Sequence, residues 1–450
     1  MPEIKNLEEK AELKDILSGF KKGCKKAGEE KVGIEFERLP ISSINYKMVD
    51  YSKENGIYDL LRAFAKLDGW EYITDDYNII GLKKGDDRIT LEPGCQLELS
   101  LAPDKSISCI KNKIDNFNKK ITPILRKYEI NLLEYGISPV STYKNINLIP
   151  KKRYRIMADY LWGILSDVMM RETAGIQACY DFVSEEDAIR KFRITNIISP
   201  FISAIFANSP IRGGVDTGYK TFRGLSWLNT DNERCSFMSR KLFDKKSGYG
   251  FEDYVEEVMK TPIIFIMRDE KPIEILGKLN FKEFMDYGFE GYRATTEDFK
   301  LHANLYFPDV RLRNFIEIRN HDCANHGMQY SVLAIYKALL YNKKALEDIE
   351  RLMFEFTYNN LMEFRYNVPR NALNTKIGKY PAKDVAKNIL KIAQNVLKEN
   401  NEGEEYFLEP ILELTPYGLS PADVILSNWN GNWNKDVSKM VKYLNTPNRY

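Results

Sequence analysis

The segment Arg88-Ile-Thr-Leu-Glu92-Pro-Gly-Cys-Gln96-Leu-Glu98-Leu-Ser100-Leu-Ala-Pro103 constrains the fold more than any other part of the chain. Read at a period of two, it places Ile89, Leu91, Cys95, Leu97, Leu99 and Leu101 on one face. Arg88, Thr90, Glu92, Gln96, Glu98 and Ser100 share the other face. The alternation predicts two strands bent at Pro93-Gly94, with one face suited to a core and the other charged.

Three further segments repeat the pattern. Val32 to Leu39 turns Glu35 and Glu37 to one side and Ile34 and Phe36 to the other. Val310 to Arg319 reads as one strand whose odd positions present Arg311, Arg313, Glu317 and Arg319, and Ile176 to Phe182 offers Gln177 and Asp181. For a single strand, a solvated face with Glu paired to Arg38, Arg88 or Arg311 is explanation enough. Four such faces in one chain argue for a sheet whose carboxylates serve a ligand. Two carboxylates about 4 Å apart repel by about 4 kcal/mol at an effective dielectric near 20, and a hard divalent cation removes that repulsion. Mg²⁺ or Mn²⁺ bound to oxygen keeps positions for water and phosphate, so metal-nucleotide chemistry suits this face.

The remaining composition mostly excludes. Lys plus Arg is 66 against 64 for Asp plus Glu, which gives no field to attract nucleic acid or an anionic membrane. The apolar run Ile197 to Ala207 is interrupted by Ser199, Pro200 and Ser203, and no run approaches the roughly 20 residues of a membrane span. The first residues mix Glu with Lys and show no apolar leader, so a cytoplasmic location is the default expectation. Cys24, Cys95, Cys109, Cys179, Cys235 and Cys323 form no Cys-x-x-Cys pair and are expected to be reduced. His321 and His326 share no helical face, which argues against zinc there. Tyr219 separates Gly218 from Lys220, so the Gly-rich loop from Gly213 is not a Walker A motif, and no nucleophile signature appears.

Length would allow two or three domains, yet no break in composition marks a boundary. The expectation is a single catalytic unit over 1–450: an N-terminal helix within 1–31 (about Leu7 to Lys26), a sheet-rich body over 32–330, and a mainly helical part over 331–450. Helices are expected over Lys151 to Arg171, from the cap Ser184-Glu-Glu-Asp187 towards Ile205 with an interruption or a kink at Pro200, over Tyr330 to Phe364 as one helix or a pair, and after Ser420-Pro421-Ala-Asp423. Ile263 to Met267 reads as a strand buried on both faces. Hairpin-like strands early, with no regular βαβ alternation, make the class α+β rather than doubly wound.

These segments, taken in order, resemble the plant-type glutamate–cysteine ligases, the second glutamate–cysteine ligase family among the glutamine synthetase-like carboxylate–amine ligases. Gly33-Ile-Glu35-Phe-Glu37 is similar to the family's Gly-x-Glu-x-Glu strand, and Glu92-Pro-Gly-Cys-Gln96-Leu-Glu98-Leu-Ser100 to its Glu-Pro-Gly-Gly-Gln-x-Glu-Leu-Ser segment. Lys152-Arg153-Tyr154, Met170-Arg171-Glu-Thr173, Phe206-Ala-Asn208-Ser209-Pro210, Trp227 with Thr230-Asp231 and Arg234, and Tyr249-Gly250-Phe251-Glu252 follow. His302, Phe307-Pro308-Asp-Val310-Arg311-Leu312, Glu317-Ile-Arg319, Ser420-Pro421-Ala422-Asp423 and Asn430-Gly431-Asn-Trp433 complete the series. Cys95 departs from the family's second glycine, and Asn320-His321-Asp322-Cys323 replaces a smaller, Gly-richer run.

The resemblance implies a glutamine synthetase-like fold, a curved antiparallel sheet lining the active site with helices around it. It implies ATP-dependent formation of γ-glutamylcysteine from L-glutamate and L-cysteine through a γ-glutamyl phosphate, the first step towards glutathione or a similar thiol. A nearer alternative is a ligase of the same fold that joins glutamate or a similar acid to a different amine. Carried over residue by residue, Glu35, Glu37, Glu92, Glu98 and Glu317 are the expected ligands of Mg²⁺ or Mn²⁺. Arg171, Arg319 and Arg234 are the expected catalytic residues, and Arg223, Arg234, Arg311 and Gln177 are expected at the nucleotide. Arg171, Tyr154 and Tyr249 are expected at the substrate. The implied partners are small molecules, with no nucleic acid or membrane, and the chain is expected to act as a monomer or homodimer.

Overall fold

The computed structural model describes residues 10–67, 69–325 and 327–445. The first part of the expected N-terminal helix and His326 lie outside the described residues, and the helix there spans Leu13–Lys21. The architecture is built on a nine-stranded, wholly antiparallel sheet. Its strands are β1 (Val32–Ser42), β2 (Glu71–Asp75), β3 (Asn78–Lys84), β4 (Asp87–Leu91), β5 (Leu97–Asp104), β6 (Ile130–Leu133), β7 (Gly175–Tyr180), β8 (Val310–Leu312) and β9 (Ile316–Asp322). The spatial order is β8-β9-β7-β1-β5-β4-β3-β2, with β6 paired to the second half of β1. Sequential hairpins build one side, and distant strands join the other side through β7.

The helices that matter for the site are α1 (Ile107–Lys127), α2 (Lys152–Tyr160), α3 (Ser166–Glu172), α4 (Glu185–Ile205), α5 (Phe222–Leu228), α6 (Thr296–Asn304), α7 (Met328–Leu340) and α8 (Ala382–Asn400). Ile34, Phe36, Leu97, Leu99, Ile176, Ala178, Ile316 and Ile318 are buried on the apolar face of the sheet. Helix α7 packs on that face against β1 and β7, and α8 packs on α7. The Tyr180 hydroxyl donates to the Leu333 carbonyl at 2.9 Å, a polar tie in an otherwise apolar layer. Burial of that layer is the main driving force for assembling the sheet.

Register follows the parity read from sequence. Glu37 opposes Glu98, and Phe36 opposes Leu99 across β1 and β5. Glu35 opposes Gln177 across β1 and β7. A shift of one residue would send every carboxylate into the core, so the apolar face pins the charged one.

Four expectations are corrected. Val310 to Arg319 is a hairpin, folded back over Arg313–Phe315 with the Arg313 N–H donating to the Phe315 carbonyl at 2.8 Å. The turn preserves parity, so Arg311 opposes Glu317. Ile263 to Met267 is no central strand: Phe265–Arg268 pairs only with Lys271–Glu274, and Met267 is exposed. Lys151 to Arg171 divides into α2 and α3 across residues 161–165, where Gly163 passes so close to the Thr230 carbonyl that a Cβ would lie 2.1 Å from it. Tyr330 to Phe364 falls within three helices, the second and third capped by Asn342 and Thr357 side chains. The Ser184 hydroxyl caps α4 by accepting from Asp187 N at 3.1 Å, and the helix continues through Pro200.

Candidate active site

The polar face of the sheet forms the floor of a cavity of about 250 Å³, lined by Glu35, Glu37, Glu92, Glu98 and Gln177. Arg153 and Tyr154 of α2, Trp227 of α5, Phe307, Arg311, Arg313 and Arg319 close it. Acids and arginines thus share one cavity, with Arg153 acting on Glu92 and Glu98 and Arg319 on Glu35. The Glu98 carboxylate accepts from Thr90 Oγ1 at 2.7 Å and Ser100 Oγ at 3.2 Å. Glu37 accepts from the Gly175 N–H and, at 3.2 Å, from Gln177 Nε2. These donors aim the carboxylates without neutralising them.

Burial pushes the Glu35 carboxyl up to about 8, helped by Glu98 and Glu317. The Glu98 carboxyl is raised to about 8 by burial, then by Glu92 and Glu37. Glu37 reaches about 7 through burial, with Arg223 opposing and Glu92 adding to the rise. Oxygen donors that resist ionisation together, around one polar cavity, fit a hard divalent cation that would replace their protons.

Glu317 is different. Burial would raise its pKa most, yet Arg311, Arg319 and Arg313 outweigh that and hold it well below the usual carboxylate range. Its oxygens accept from Arg311 Nε at 2.6 Å, Arg319 Nη1 at 3.1 Å and Arg313 Nη1 at 3.3 Å. The expected metal ligand is, in this structure, also the fully buried counter-ion that arrays three arginines, and one of its carboxylate oxygens lies within 4.8 Å of ligand atoms of Glu35 and Cys179. Arg319 Nη1 also donates to Gln177 Oε1 at 2.5 Å, linking the arginines to the carboxylate strands.

The structure brings Glu35, Glu37, Glu92, Glu98, Gln177, Tyr154, Arg311 and Arg319 together at the cavity, and does not bring Arg171, Arg234 or Tyr249 there. Arg171 donates to the Tyr143 and Ile146 carbonyls and pairs with Asp167 at 3.0 Å, because Met169 and Met170 occupy the side of α3 that faces the cavity. Arg234 is fully buried, beside Asp231 at 3.0 Å, and donates to the Leu305 carbonyl at 3.1 Å. Tyr249 donates to Glu257 at 2.8 Å. Arg223 lies beneath β7, with Nη2 donating to the Arg319 carbonyl at 3.0 Å, and it lines a second, narrower chamber behind Trp227, Phe307 and Arg319. A Cβ on Gly175 would come within 2.3 Å of that guanidinium, so this approach requires glycine.

Sequence reasoning missed Arg153, whose guanidinium lies 5.0 Å above the Tyr154 ring, and Cys179, whose sulfur lies within 4.8 Å of ligand atoms of Glu35 and Glu317. The signal for Cys179 was its parity with Gln177 on β7. The turn joining β4 to β5 also departs from ordinary geometry. Cys95 holds φ +72°, and a Cβ on Gly94 would meet the Arg171 carbonyl at 2.2 Å. The turn that presents Glu92 is thus seated on the backbone of α3.

Residues 31–442 match the family model described as glutamate-cysteine ligase family 2. The chloroplastic glutamate–cysteine ligase of Nicotiana tabacum is 31% identical over 435 residues, spanning 96% of this chain and 82% of its own length. The chloroplastic enzyme of Arabidopsis thaliana is 30% identical over the same shares, 96% and 82%. A crystal structure of glutamate–cysteine ligase from Francisella tularensis in complex with AMP superimposes with a TM-score of 0.53 at 14% identity, covering 94% of this chain and 90% of that one, a likeness of fold. These relatives also overturn the cytoplasmic default, since their names place them in the chloroplast and the lack of a visible leader was never positive support. A model match over nearly the whole chain, with relatives above 30% identity, makes this protein a member of glutamate–cysteine ligase family 2.

Proposed function

We propose that the chain acts as a single catalytic unit that phosphorylates the side-chain carboxylate of L-glutamate with ATP and passes the γ-glutamyl group to the amine of L-cysteine. The observation that carries this reading is the gathering, around one cavity, of the Glu35, Glu37, Glu92 and Glu98 carboxylates and the Arg311, Arg313 and Arg319 guanidinium groups. Phosphoryl transfer needs charge held on both sides of the moving group and little covalent help from the protein. Mg²⁺ on the four glutamates would supply Lewis-acid neutralisation of the triphosphate and the acceptor carboxylate.

The chain's own residues then orient and compensate. Arg319, held by Glu317 and Gln177, has its guanidinium fixed before substrate arrives, so stabilising negative charge on the acyl phosphate costs little reorganisation. Arg311, braced by Glu317 and the Asn304 and Tyr306 carbonyls, adds a second fixed charge. Arg223 supports a role at the glutamate α-carboxylate: Nε and Nη1 are buried without a hydrogen-bond partner among the described residues, beside the equally unpartnered Trp227 Nε1. An acid anchored there extends its side chain past Arg319 towards the glutamates.

The test is ADP release by the purified protein with Mg²⁺, ATP and L-glutamate, comparing L-cysteine, 2-aminobutyrate, glycine and simple amines. Dependence on L-cysteine is the expected result. A preference for a thiol-free amine would keep the chemistry and replace the acceptor, and no release with any amine would remove the proposal.

A further inference from the structure

Gln96 stands immediately before β5, buried in the wall of the glutamate-lined cavity. Its side chain holds together two stretches of backbone far apart in sequence. Oε1 accepts from the Gly94 N–H at 2.8 Å, while Nε2 donates to the Thr173 carbonyl at 2.8 Å and to the Met170 carbonyl at 3.2 Å. The amide has one possible orientation, since exchanging its ends would face donor with donor and acceptor with acceptor. The two carbonyls belong to the C-terminal end of α3, where helix geometry leaves carbonyls without intrahelical partners, so Gln96 also caps that helix.

Each stretch leads to a glutamate of the cavity. In the turn, the Glu92 N–H donates to the Gln96 carbonyl at 2.9 Å and the Cys95 N–H to the Glu92 carbonyl at 3.0 Å, so the bond to Gly94 locks a turn that begins at Glu92. Two residues beyond Thr173, the Gly175 N–H donates to the Glu37 carboxylate. A continuous path from Glu92 through Gln96, Thr173 and Gly175 to Glu37 therefore links two carboxylates that line one cavity. Mg²⁺ demands near-ideal octahedral geometry at about 2.0–2.1 Å, whereas Ca²⁺ accepts six to eight oxygens at about 2.3–2.6 Å in flexible arrangements. Rigid spacing of the carboxylates favours the smaller ion.

We propose that Gln96 sets the spacing of Glu37 and Glu92 and thereby makes the cavity select Mg²⁺ over Ca²⁺. Gln96 is a positioning residue, acting on the cation through the two glutamates. The inference rests on the ligase reading, which puts a divalent cation on these carboxylates, and it names the residue that gives the site its size.

The test is displacement of Mn²⁺ from the full-length protein by Mg²⁺ and by Ca²⁺, read from the electron paramagnetic resonance of free Mn²⁺, beside the ADP-release assay. The proteins compared are wild type, Gln96→Met, Gln96→Asn and Leu97→Ala. Gln96→Met keeps the length of the side chain and removes its three hydrogen bonds. Its Mg²⁺ affinity is expected to fall about tenfold or more, and its Ca²⁺ affinity by less, so that the preference for Mg²⁺ shrinks. Gln96→Asn, one methylene too short to bridge the two stretches, is expected to shift in the same direction and decides the question if Gln96→Met does not fold. Leu97→Ala opens a void on the apolar face beside the turn and reports what lost stability alone does; it is expected to keep the wild-type preference. Equal weakening of the two cations, an unchanged Mg²⁺ affinity in the Gln96 variants, the same loss of preference in Leu97→Ala, or wild-type protein that binds no Mn²⁺ or does not prefer Mg²⁺ would overturn the proposal. The expected cation pattern without ADP release for any amine would keep the role of Gln96 and overturn the ligase reading instead.

Discussion

Glu37 and Glu98 stand directly opposite each other on β1 and β5, two carboxylates in one cross-strand pair where like charges are normally avoided. Removing one charge and keeping its shape separates catalytic from structural need. Glu98→Gln is expected to fold normally, to be at least as stable as wild type without metal, and to lose turnover by about 100-fold or more. Near wild-type turnover would show that Glu98 holds no cation.

Glu317→Gln should behave differently, although its parity groups it with the other glutamates. It removes the counter-charge of Arg311, Arg313 and Arg319 in a fully buried position. Breaking such a set costs about 3–5 kcal/mol. Denaturant unfolding is expected to report that loss, and an unchanged midpoint would contradict the assignment of Glu317 as the array's counter-ion.

Proton linkage gives a third expectation. Folding raises Glu35 and Glu98 to about 8 and Glu37 to about 7 from ordinary values near 4.5. The folded state therefore binds more protons than the unfolded one across that interval, so these groups withdraw stability as pH rises through it. A cation that displaces the protons must restore it. Thermal melts at pH 6 and pH 8 are expected to show a larger Mg²⁺-induced gain at pH 8, and equal gains would count against the glutamates as the binding set.

Gly175→Ala presses a methyl group against the Arg223 guanidinium, at 2.3 Å before relaxation, and against the His321 carbonyl. Overpacking of this kind costs about 1–3 kcal/mol. If Arg223 holds the donor acid, KM for L-glutamate should rise about tenfold while KM for ATP changes less. Equal effects on the two would place Arg223 outside glutamate recognition.

Cys95 occupies left-handed backbone at φ +72° with its side chain buried. A Cβ there costs about 1 kcal/mol relative to glycine, partly offset by the greater unfolded-state freedom of glycine. Cys95→Gly is expected to be more stable than Cys95→Ala by about 0.5–1 kcal/mol, and the reverse order in thermal melts would show that the turn bears no such strain.

The carboxylate face is legible in the sequence because strand parity is local: Glu35, Glu37, Glu92 and Glu98 lie within two short amphipathic segments and the turn between β4 and β5. The fold-back at Arg313-Asn314-Phe315 is hard to read, since Asn314 is its one turn-favouring residue, with no Gly or Pro beside it, and the alternation of the flanking positions runs on through it. Arg171, Arg234 and Tyr249 are misleading for another reason. Each belongs to a family-like motif, but the direction of a long side chain depends on carbonyls and acids from distant segments, such as Tyr143 for Arg171 and Leu305 for Arg234. The second chamber is assembled from α4, α5, β9, the 307–309 segment and the helix that carries Arg365, Val368 and Pro369, which are far apart in sequence.

The wall of Trp227, Phe307 and Arg319 sets a distance as well as a boundary. If the head of an acid is gripped on one side and activated on the other, as proposed for L-glutamate, chain length becomes a measured quantity. Aspartate, one methylene shorter than glutamate, would be gripped as firmly yet stop short of the glutamate-lined floor. Such an acid would occupy the protein without being activated, an inhibitor by geometry alone.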